Sequence, residues 1–136
     1  MTRRNSSLGF LGRFGRSGDL RALDAALRAV DIHPAMVPDG AKLTIVNLMK
    51  DQWPDQEPPQ SAYPPVAQLF GFCIVGPDEF ARANGPDATA EAERRLDRAL
   101  EREESFDAQL VLLALHSKLV SPKLVELYGL SVSSND

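Results

Sequence analysis

Phe106-Asp107-Ala108-Gln109-Leu110-Val111-Leu112-Leu113-Ala114-Leu115-His116-Ser117-Lys118-Leu119-Val120 is the stretch on which the fold turns. Nothing charged stands between Asp107 and Lys118, so a helix built on it is apolar on every side. A helix without a polar face has to be surrounded by its own protein or by lipid, and this run falls short of the about 20 apolar residues that a bilayer requires. It reads as the central helix of a soluble helical domain.

Towards the C-terminus, Ser121-Pro122 opens a last helix through Leu124, Val125, Leu127 and Tyr128, and Gly129 ends it. Residues 131–136 read as a frayed tail. Towards the N-terminus, residues 87–104 form a helix of another kind, with a thin apolar stripe of Ala88, Ala92, Leu96, Ala99 and Leu100 and a wet circumference. Before it, Pro65 starts a second helix that is apolar nearly all round, through Val66, Leu69, Phe70, Phe72, Cys73, Ile74 and Val75. Gly71 in its middle costs about 1 kcal/mol relative to alanine, which points to a close approach by another helix. Gly76-Pro77-Asp78-Glu79 is a stop followed by a start, and Asn84-Gly85 closes the short helix between.

Five of the ten prolines fall within Pro54–Pro65, a linker or a long surface loop bounded by Trp53 and Tyr63. Asp39 caps a helix through Leu43, Ile45, Val46, Leu48 and Met49. The first helix has Ser17 as its cap and Leu20, Leu23, Leu27 and Val30 on one face, and His33-Pro34 ends it. The spacing Leu-Asp-x-Ala-Leu at 23–27 recurs at 96–100, a faint sign of a duplicated helical hairpin. The fold class expected is all-α: one compact domain of five to six helices over residues 17–130, around the apolar helices 66–75 and 108–120.

The chain of 136 residues is large enough to bury roughly two-thirds of its unfolded surface, and its 43% hydrophobic and 25% charged residues suit a globular domain. One cysteine, Cys73, excludes an internal disulfide, and with no signal-peptide pattern the expected location is the cytoplasm. The net charge of −4 is unevenly spread. Residues 1–18 carry Arg3, Arg4, Arg13 and Arg16 and no acid, whereas the rest holds 11 Lys and Arg against 19 Asp and Glu, a net −8. An acidic body disfavours nucleic acid, whose binding requires many cations against phosphate.

Residues 1–16 read as a flexible basic arm, with Gly9, Gly12 and Gly15 separating Leu8, Phe10, Leu11 and Phe14. It lacks the Gly-Lys-Ser/Thr ending of a phosphate loop and the dinucleotide fingerprint. His33 and His116 form no metal-ligand pair and no Cys-x-x-Cys exists, so neither a metal nor a cofactor is expected. His116, among leucines, reads as a hydrogen-bonded core histidine, and Cys73 as an inert core thiol. Arg94, Arg98 and Arg102, spaced by four, align on one face beside Asp97, Glu101 and Glu104, a pattern of internally paired, solvated charge or of a contact surface.

No catalytic motif emerges. The expected function is a small protein-interaction or regulatory module binding a protein partner or itself, with Phe10, Phe14, Trp53, Tyr63, Arg94, Arg98 and Arg102 as the candidate surface. The alternative is an enzyme or small-ligand binder whose site is assembled only in three dimensions.

Overall fold

The computed structural model describes residues 18–130. Among them it holds six α-helices and no strand. These are α1 (residues 18–29), α2 (Asp39–Gln52), α3 (Tyr63–Asn84), α4 (Pro86–Glu101), α5 (Phe106–His116) and α6 (Pro122–Tyr128). Short 3-10 turns at Pro34–Met36 and Gln60–Ala62 precede α2 and α3. Among the described residues no helix is long and apolar enough to cross a membrane. Residues 1–17 and 131–136, including the Ser17 cap, the arm and the tail, lie outside the described part.

The first half of α3 is the centre of the core. Val66, Ala67, Leu69, Phe70, Phe72 and Cys73 are all at most 2% exposed, and α4, α5 and α6 pack against this helix. Leu23 and Leu27 of α1 and Ile45, Val46 and Met49 of α2 complete the same cluster. The helix breaks at Gly76, whose backbone (φ 87°, ψ 170°) is left-handed, and Pro77 begins the second segment. A Cβ at Gly76 would also lie 2.7 Å from Ser121 Oγ, so both the turn and the neighbour demand glycine. Beyond the break, Phe80 sets its ring edge-on to Phe72 at 5.6 Å. At Gly71 the close approach is made by the connection after α1, where Ile32 Cγ1 would stand 3.0 Å from an added Cβ, and not by another helix.

Two helices leave by the same device. In α1 the Ile32 N–H donates to Leu27 O and the Asp31 N–H to Arg28 O, with Asp31 left-handed at φ 67°. In α5 the Leu119 N–H donates to Ala114 O and the Lys118 N–H to Leu115 O, with Lys118 at φ 60°. The six-to-one bond folds Ile32 and Leu119 back onto the core, so each helix stops before the point where its downstream proline would end it. For α5 this corrects the expected end at Val120. His33 accepts from the Ala35 N–H at 3.1 Å and caps the turn that follows α1. The exit of α4 differs, since Arg102 there is not left-handed (φ −125°), and the two Leu-Asp-x-Ala-Leu helices do not end alike.

The second correction concerns burial around α5. Leu110, Val111 and Ala114 are buried, but Leu112 is 51% exposed and His116 is exposed. An eleven-residue helix lying on the outside of α3 has one face to bury, and α2, α3 and α4 cover that face. Leu113 and Leu115 are partly buried against the core, and Leu112 meets water.

Candidate functional site

The α4–α5 hairpin is built by two local signals and one distant pair. Arg102 closes α4, and Ser105 caps α5 by accepting from the Ala108 N–H at 3.1 Å while its own hydroxyl donates to Arg102 O at 2.8 Å. Arg95 then clamps the two helices together. Its Nε donates to Asp107 Oδ2 at 3.1 Å and its Nη2 to Asp107 Oδ1 at 3.0 Å, a bidentate pair. The remaining Nη1 donates to Pro65 O at 2.7 Å and Gln68 Oε1 at 3.1 Å, so one side chain joins α4, α5 and the start of α3.

The clamp divides the hairpin surface into two sides. On one side, Arg98 and Arg102 line an open cavity of about 420 Å³ with Arg95, Ser105, Phe106 and Asp107. Arg94 pairs with Glu91, whose carboxyl is lowered by that hydrogen bond. Arg98 and Arg102 are exposed and enter no ion pair among the described residues. Of the three aligned arginines only Arg94 is internally paired, and the one that holds structure is Arg95, which lies off their row.

On the other side, Ala99, Leu100, Ala108, Leu112 and Leu115 form an apolar cleft of about 470 Å³ with Glu103 at its rim. Leu100 is 43% exposed and Leu112 51%, half their surface in water. Sequence reasoning missed this cleft because it placed Leu112 inside. A signal was available: Ala108, Leu112 and Leu115 recur at i, i+4 and i+7 and therefore share one face of α5.

The other candidate residues separate. Tyr63 is 3% exposed and its hydroxyl donates to Asp19 Oδ1 at 3.0 Å, so it is an interior residue and not a contact surface. Burial first, and then the Asp19 carboxylate, push its phenol well above the usual range. Lys50 stands 3.2 Å from Asp19 Oδ2 as an ion pair, but off hydrogen-bond angles, so no described donor is aligned on that oxygen. Trp53 is half-buried and lines a cavity of about 230 Å³ with Met49, Ala62, Val66 and Phe106. Phe10 and Phe14 lie outside the described residues.

His116, read from sequence as a core histidine, is exposed at the last turn of α5, because the Schellman exit places it at the rim. Cys73 is 1% exposed, burial pushes its thiol up to about 12, and no hydrogen bond joins the two among the described residues. Among the described residues no group of three or more His, Cys, Asp and Glu side chains is placed to hold a metal ion. Comparison with known protein families, curated proteins and solved structures returns no match to this chain.

Proposed function

We propose that this chain is a small protein-interaction module whose contact face is the α4–α5 hairpin. The observation that carries the reading is the apolar cleft, where two of the four exposed large hydrophobics among the described residues, Leu100 and Leu112, come together beside Leu115. Covering the exposed halves of two leucines contributes about 2 kcal/mol to association, enough to make this cleft the anchor of a contact. Arg98 and Arg102, on the far side of Ala99, add unpaired positive charge that orients an acidic partner region. The single buried thiol suits a reducing cytoplasm as the setting. The alternative, a small-ligand or catalytic site, has less support, since Cys73 is sealed in α3 while His116 points outward from α5.

The test is site-specific photocrosslinking in the native cell, with benzoylphenylalanine at Leu112 and, as a control, at the exposed Thr44 on α2. A discrete product at position 112, absent at 44 and abolished by Leu100→Asp, is the expected result. Equal labelling from both positions, or none from 112, refutes the contact face.

A further inference from the structure

The cleft and the part of the chain that precedes α1 are chemically matched. The cleft is floored by Ala99, Leu100, Ala108, Val111, Leu112 and Leu115, and Glu103 is its one charged lining residue. Glu101 and Glu104 stand exposed at the hairpin turn with Arg102 between them, which leaves the turn 101–104 at a net −2, and none of the three glutamates enters an ion pair among the described residues. The α4 C-terminus, with its partial negative charge, ends at the same place. An occupant therefore has to be apolar along its length and basic where it meets the turn.

Residues 8–16 have that composition. Leu8, Phe10, Leu11 and Phe14 are interleaved with Arg13 and Arg16, and no acid occurs in residues 1–18. The glycines between them leave the backbone free to follow a shallow cleft. Counted from the start of α1 at residue 18, an extended chain carries Phe14 roughly 13–14 Å and Phe10 roughly 26–29 Å, against a diameter of roughly 34 Å for a compact domain of this size, so the segment enters its own cleft over a short span or the cleft of a neighbouring copy over any distance. Left in water, two phenylalanines and two leucines gain nothing, and the half-exposed Leu100 and Leu112, which share one cleft, give them apolar surface to cover.

We infer that residues 8–16 of this chain occupy the α4–α5 cleft, with Phe10, Leu11 and Phe14 on Leu100, Leu112 and Leu115 and the arginines against Glu103 and Glu104. The inference rests on the reading of the cleft as a contact face and adds a regulator: a partner has to displace the segment, so the chain carries its own competitor. Raising ionic strength weakens the docking, because the rim charges are exposed and screened.

The experiment uses the full chain with leucine, valine and methionine methyl labelling and a nitroxide at Ser6→Cys, selective because Cys73 is buried. Paramagnetic broadening is expected to remove more than half of the methyl intensity of Leu100, Leu112 and Leu115 while sparing Met36, an exposed side chain after α1. Phe10→Asp with Phe14→Asp should restore those signals, and Glu103→Lys should restore them in part. Dilution with unlabelled chain separates docking in the same molecule, where broadening persists, from docking on a neighbouring copy, where it fades, and both keep this segment in the cleft. Broadening centred instead on Met49 and Val66 beside the Trp53 cavity, or no broadening at all, overturns the inference. If the cleft methyls are untouched while Leu112 still crosslinks a partner, the contact face survives and only this occupant fails. If neither signal appears, both fail.

Discussion

Leu110→Ala and Leu112→Ala, compared in one protein, test the one-sided burial of α5 on which the contact face depends. Leu110 is fully buried and Leu112 is 51% exposed, two positions apart on the same helix. At Leu110 the substitution removes three carbons from a site closed by α3 and its neighbours. The lost transfer is about 2.4 kcal/mol at about 0.8 kcal/mol per carbon, and the unfilled space raises the total to about 3–4 kcal/mol. At Leu112 half of the side chain is already wet, so the transfer loss is about 1 kcal/mol, and water fills the space left behind. The expected difference is about 2–3 kcal/mol. Urea unfolding followed by far-ultraviolet circular dichroism reads it, with an unchanged slope confirming that only stability moved. Equal costs at the two positions would refute the reasoning. The concentration dependence then tells how: a cost at Leu112 that fades on dilution means that a second copy covers the residue, and a constant cost means that α5 is enclosed on all sides.

Arg95→Met should cost about 2–4 kcal/mol, because it leaves the part-buried Asp107 carboxylate and Pro65 carbonyl without their donor, whereas Arg98→Met should change the melting temperature little. Gly76→Ala should cost about 2–4 kcal/mol from the left-handed backbone and the clash with Ser121, and Ser121→Gly in the same chain should recover the clash part alone, as read by thermal melting. Tyr63 and Cys73 both bind their protons more tightly when folded, so their contribution is complete below the ordinary values of 10.0 and 9.0 and is lost as pH rises above them. The chain should therefore unfold more easily in alkali, and Tyr63→Phe should lessen that pH dependence while costing about 1 kcal/mol at neutral pH; a steeper alkaline loss in the variant would count against it. Cys73 should resist thiol reagents at pH 8 until denaturant is added.

Sequence alone determined the helical class and most helix starts, because those depend on neighbours within a few positions. Pro77 and Pro122 mark the first turns of helical segments, and Gly76, Gly85 and Gly129, all at positive φ, mark the ends. It also identified Cys73 and its surroundings as core, since an apolar run around a thiol leaves little else. The helix ends at Asp31 and Lys118 escaped it, because a non-glycine residue takes a left-handed backbone there only when the residue after it can fold back onto a core.

Tertiary structure decided everything that depends on which face meets which neighbour. The run 106–120 is apolar on every side, and composition by itself makes Leu110 and Leu112 equivalent; only the packing of α5 on the outside of α3 buries one and exposes the other. The arginines were equally ambiguous, since Arg94, Arg95, Arg98 and Arg102 lie within three turns of one helix. Arg95 became structural because the Ser105-capped turn brings Asp107 back to it across twelve positions, a distance along the chain over which no periodicity carries information. Tyr63 went inside for a similar reason, since its partner Asp19 lies 44 positions away and supplies the acceptor that lets a phenol be buried.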